Sequence, residues 1–135
     1  MEDDRDWAEL SGEDANLRLN FGLTDGQSRF GTLEFRIDTL SSEGVGIYFT
    51  NVEAFELQVR SLADHSVGTT AILNDLYTDF SLEIKRTRSD TFAASVNLTS
   101  KQVAQYELRG TFEADNIALQ KFASGLRRLL EKLKT

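Results

Sequence analysis

Leu17-Arg18-Leu19-Asn20-Phe21-Gly22-Leu23 alternates apolar with polar or small residues, and Asp25-Gly26 follows almost at once. Period two places Leu17, Leu19, Phe21 and Leu23 on one face of a strand. Asp-Gly supplies the positive φ angles of a tight hairpin. The next alternating run, Thr32 to Ile37 with Leu33, Phe35 and Ile37 on one side, should therefore return antiparallel to the first. Ser41-Ser42-Glu43-Gly44 reads as a second turn, and Val45, Ile47 and Phe49 as the inward face of a third strand.

Beyond the meander the period changes. Thr50-Asn51-Val52-Glu53 has the Thr-x-x-Glu spacing of a capping box. Phe55, Val59, Leu62 and Ala63 then fall on one helical stripe, predicted to end near Asp64. Alternation resumes in a short strand over 69–73, a longer one through Leu76, Phe80, Leu82 and Ile84, a third through Phe92, Ala94, Val96 and Leu98, and a fourth through Tyr106, Leu108 and Phe112. Asp115 is placed to cap a last helix with a seam of Leu119, Phe122, Leu126, Leu129, Leu130 and Leu133, and its cationic final turn suits the helix dipole. The order β-β-β-α-β-β-β-β-α predicts a two-layer α+β domain. Its expected form is a single antiparallel sheet of about seven strands with both helices on one face. No repeat period, linker or low-complexity segment divides the chain.

At 135 residues, with 40% apolar and 27% charged residues, the composition is that of one globular domain. The net charge of −7 is concentrated: residues 1–14 hold seven acids against Arg5, whereas 15–135 are nearly neutral. The expected organisation is an acidic N-terminal segment over 1–14 and one α+β domain over 15–135. Trp7 and Leu10 are expected to tether that segment to the core. Lys121, Arg127, Arg128, Lys132 and Lys134 give the last helix the opposite sign. A phosphate-tracking surface would need clustered positive charge that the body lacks, which argues against nucleic-acid binding. No apolar run approaches the ~20 residues of a membrane span. Without cysteine, thiol catalysis, disulfides and thiolate metal sites are excluded. No basic and apolar leader follows Met1, so a cytoplasmic location is expected.

Catalysis finds little to stand on. His65, the single histidine, falls just past a helix end, where its imidazole suits terminal carbonyls better than acid-base work. Nucleotide-binding glycine loops, a nucleophile elbow and paired metal-spaced histidines are all missing from the sequence. Asp75 with Asp79 or Glu83 could form a carboxylate couple, but the spacing is that of an ordinary loop. The expectation is a protein that is not an enzyme, with no cofactor and no metal. On the sheet face opposite the helices the pattern puts Arg18, Glu34, Arg36, Tyr48, Tyr77, Glu83, Lys85, Glu107 and Arg109. Tyr and Arg are the types enriched at interface hot spots. The candidate partner-binding residues are Asp75, Tyr77, Asp79, Tyr48, Arg36, Glu83 and Arg109, centred on the turn Asn74-Asp75-Leu76-Tyr77-Thr78-Asp79.

Three stretches carry a family resemblance. They are Asn51 to Leu62 after the meander, Ala71-Ile72-Leu73 leading into Phe80-Ser81-Leu82-Glu83-Ile84, and Leu119 to Leu130. Together they resemble the small immunity proteins of bacterial polymorphic toxin systems, the WapI-like group in particular, over roughly residues 15–133. That resemblance implies a non-enzymatic inhibitor of a cognate toxin domain in the producing cell. A toxin domain with a basic active-site cleft would be attracted by acidic groups. Two other classes remain open: an acidic anti-defence or regulatory protein that imitates nucleic acid, and a small ligand-binding or chaperone-like module.

Overall fold

A computed structural model describes residues 7–13, 15–21, 29–37, 40–64, 70–74, 80–88, 90–100 and 106–132. The fold is α+β, with eight strands and two helices among the described residues. Strands β1 (Ala8–Ser11), β2 (Ala15–Phe21), β3 (Arg29–Ile37) and β4 (Leu40–Phe49) form one antiparallel sheet in sequential order. Helix α1 (Val52–Ala63) follows. Strands β5 (Thr70–Asn74), β6 (Phe80–Arg88), β7 (Thr91–Ser100) and β8 (Tyr106–Asp115) form a second antiparallel sheet, again sequential, and helix α2 (Asn116–Lys132) closes the chain.

The expected single sheet is thus two sheets of four strands, and the reason lies at the edge of β5. Joining the sheets would require a strand to pair with the outer groups of Ile72 and Asn74. Those groups are already taken by the start of α1. Asn51 Nδ2 donates to the Ile72 carbonyl at 2.7 Å, and its Oδ1 accepts from the Asn74 N–H at 3.0 Å. Gln58 Oε1 accepts from the Ile72 N–H at 3.0 Å, and the Thr50 N–H and hydroxyl donate to the Asn74 carbonyl. Thr50 and Asn51 are therefore spent on β5. The expected capping box does not form, and Asn51, the N-cap residue of α1, makes no side-chain cap bond.

Two further expectations are corrected. Ser41 to Gly44 is not a turn but part of β4, where the register with β3 shifts between Leu33 and Phe35. The extra strand, β1, lies inside the acidic N-terminal segment. Ala8 and Leu10 are fully buried while Glu9 and Ser11 are exposed, so two apolar residues in alternation suffice to fix its face. Leu10 tethers the segment as expected.

The architecture repeats even though the sequence shows no period. Each half is a four-stranded meander followed by a helix, and each helix packs on the first strand of the other half, α1 on β5 and α2 on β1. The helices consequently sit on different sheets and meet each other, with Phe55 and Phe122 edge to face at 6.0 Å. Phe49 joins the sheets in the same way, its ring against Phe21 at 6.4 Å and Phe80 at 5.8 Å. Both apolar sheet faces and both helix stripes form one continuous core. At the far end of α1, Arg86 Nη2 donates to the Leu62 carbonyl at 3.0 Å and the guanidinium lies over Phe92. Glu56 is the one buried charged side chain among the described residues; it accepts both Arg60 Nε and Nη2, and this pairing raises the Arg60 pKa above its ordinary value.

Truncating Phe55 or Phe122 to Ala should each lower stability by about 3–5 kcal/mol. Because the rings touch, the double variant should lose less than the sum by about 0.5–1.5 kcal/mol. Urea unfolding followed by circular dichroism measures both. Unchanged midpoints would contradict the exchange of helices between the halves.

Candidate functional site

Two close backbone approaches fold the N-terminal strand against the C-terminal half. At Gly125 on α2, a Cβ would come within 2.8 Å of Ala8 Cα. Only a residue without a side chain lets the helix lie that near to β1. At Gly12, just past β1, a Cβ would lie 2.3 Å from the Glu113 carbonyl oxygen and 2.8 Å from Phe112 Cδ2. The end of β1 thus abuts β8.

Between these two contacts lies an open groove of about 770 Å³. One wall is Trp7, Glu9, Ser11, Gly12 and Glu13; the other is the first two turns of α2, with Ile117, Ala118 and Lys121, and Arg128 further along; Glu113 and Asp115 close one end. Four carboxylates (Glu9, Glu13, Glu113, Asp115) face two cations (Lys121, Arg128), a formal excess of two negative charges. Asp115 also caps α2, its Oδ1 accepting from the Ala118 N–H at 2.8 Å. Ile117, 64% exposed, adds an apolar contact surface.

Trp7 stands on the rim as part of a short polar chain across the outer face of the first sheet. The Arg18 guanidinium lies 4.1 Å from the Trp7 ring centroid and is held in turn by Glu34, with Nε to Oε1 at 2.9 Å. Arg128 Nη2 donates to the Trp7 carbonyl at 3.2 Å. Arg18 therefore covers one face of the indole while Arg128 holds the Trp7 backbone, which reduces the ordering cost of using the residue as an anchor.

The residues expected to bind a partner that fall within the described residues are divided between the two sheets. Arg36 and Tyr48 belong to the first sheet, on β3 and β4, while Glu83 and Arg109 belong to the second, on β6 and β8. Arg36 and Arg109 are exposed, and Glu83 lies 3.6 Å from Lys85 Nζ. Asp75, Tyr77, Asp79 and His65 lie outside the described residues. What the sequence reading missed is the groove itself. Its only local signals were the pair Ser11-Gly12 in an acidic stretch and the small residues Ala8 and Gly125 at the two faces that meet. Among the described residues, no helix is long and apolar enough to cross a membrane. Comparison of the chain with family models, curated proteins and solved structures returns no match.

Gly12→Ala and Gly125→Ala test the two approaches. Each forces a methyl group against backbone and should cost about 1–3 kcal/mol, read as a lower urea midpoint in Trp7 fluorescence. Wild-type midpoints in both would mean that β1 is not held against β8 and α2 as described.

Proposed function

We propose that this protein acts by binding another protein, and that the groove between β1 and α2 is its principal contact surface. The observation that supports this reading is the fixed Trp7 on the rim of an acidic groove that also presents exposed Ile117. A rigid aromatic beside an apolar contact is the composition of an interface centre, and surrounding charge governs how quickly a partner of opposite sign arrives. The resemblance to immunity proteins supplies the biological form: a cytoplasmic inhibitor, without catalysis or cofactor, of a toxin domain whose cleft is basic. The groove's excess of carboxylates fits such a partner. Of the residues expected from the sequence, the exposed Arg36 and Arg109 lie outside the groove, one on each sheet, as further candidate contacts.

Binding kinetics on an immobilised partner, recovered by pull-down from the source organism, provide the test. Trp7→Ala should raise the dissociation rate by about tenfold or more. Glu13→Lys with Glu113→Lys should slow association at low salt and lose that effect at high salt. Circular dichroism establishes that each variant is folded. Wild-type rates in all of these folded variants would refute the groove as the contact surface.

A further inference from the structure

The two halves share one element order, four sequential antiparallel strands and a helix, so that β1 and β5 correspond. In β5, Ala71 and Leu73 are buried and Ile72 and Asn74 face outward; in β1, Ala8 and Leu10 are buried and Glu9 and Ser11 face outward. Glu9 therefore corresponds to Ile72, and Ser11 to Asn74. In the second half these two positions have their outer N–H and C=O groups bonded by side chains and backbone of the crossing segment, Asn51 and Gln58 above all. In the first half the Gly12 N–H donates to the Ala15 carbonyl at 2.9 Å, which sets the alternation of the β1–β2 ladder. The pairs Ala8 with Leu19 and Leu10 with Leu17 then exchange the ladder bonds, and Glu9 and Ser11 turn their backbone groups away from β2 toward the groove.

The chemistry of the crossing helix explains the difference. Asn51 both donates and accepts, so it spans an N–H and a C=O of a strand edge. The residue at the corresponding N-cap is Asp115, which only accepts and already holds the Ala118 N–H. Among the described residues, no hydrogen bond is made to the backbone groups of Glu9 or Ser11 that face away from β2. An exposed edge of this kind is a template for another strand.

We propose that the edge of β1 is a strand-addition site that takes an extended peptide segment bearing basic side chains. It rests on the reading of the groove as a protein-binding surface and names the mode. The backbone of the segment pairs with Glu9 and Ser11, as the Asn51 amide pairs with Ile72 and Asn74 in the other half. Its Lys or Arg side chains meet Glu13, Glu113 and Asp115. The edge that carries Glu9 and Ser11 rises about 3.3 Å per residue, room for a short strand. Arg128 on the Trp7 carbonyl limits it at one end, and the contact of Gly12 with β8 at the other.

The test uses the hexapeptide acetyl-Lys-Val-Lys-Val-Lys-Val-amide, titrated into the full chain and followed by amide chemical shifts. Saturable shifts at Glu9, Ser11 and the start of α2 are expected. N-methylation of alternate peptide bonds removes the strand donors and should weaken binding by about tenfold or more. The Asn51→Ala, Gln58→Ala double variant uncovers the edge of β5 and should gain a second set of shifts at Ile72 and Asn74. Equal binding by the N-methylated peptide overturns strand addition while leaving the groove as a contact surface, which the rates of the Glu13 and Glu113 variants decide separately. No shifts at β1, or no new site at β5 in the folded double variant, overturns the proposal.

Discussion

The fold depends on the close approach of α2 to β1 at Gly125 and Ala8. A four-stranded meander with one apolar face is not a stable unit by itself, because that face must be covered. Here each half covers the start of the other. Packing the last helix on the first strand, and the middle helix on β5, ties both halves into one core that neither could complete alone. The contact of Phe55 with Phe122 sits where the two helices meet, and Phe49 joins the sheets at another seam.

The same exchange creates two junctions between a helix start and a strand edge, and they differ in chemistry. At the α1–β5 junction an Asn amide imitates a peptide group and closes the edge. At the α2–β1 junction the capping residue is a carboxylate committed to its own helix, and among the described residues the outward backbone groups of Glu9 and Ser11 carry no hydrogen bond. A buried edge must find partners for its backbone groups, whereas a solvated one keeps them available. The proposed mode of binding rests on that asymmetry between halves of the same element order.

Much of the fold was legible in the sequence because burial on one face writes itself as alternation. Leu17, Leu19 and Phe21, then Leu82 and Ile84, and the stripe Phe55, Val59 and Leu62 are all buried as their spacing predicts. Two features were not legible for definite reasons. The division into two sheets turns on Asn51 and Gln58 reaching a strand 14 to 23 residues away, and a local reading assigns the Thr50 to Glu53 segment to a helix cap instead. The additional strand, β1, hides in an acidic stretch, since its face needs only Ala8 and Leu10. The groove depends on glycines whose role is set entirely by what they touch, Glu113 at one and Ala8 at the other. No alternation or charge run announces such contacts.

Hydrogen exchange of individual amides tests the asymmetry most directly. With one edge closed and the other open, the Ile72 and Asn74 amides should exchange slowly, at rates close to those of Ala8 and Leu10. The Glu9 and Ser11 amides, one residue away from protected neighbours, should exchange far faster. Equal protection of Glu9 and Ile72, or of Ser11 and Asn74, would contradict the account.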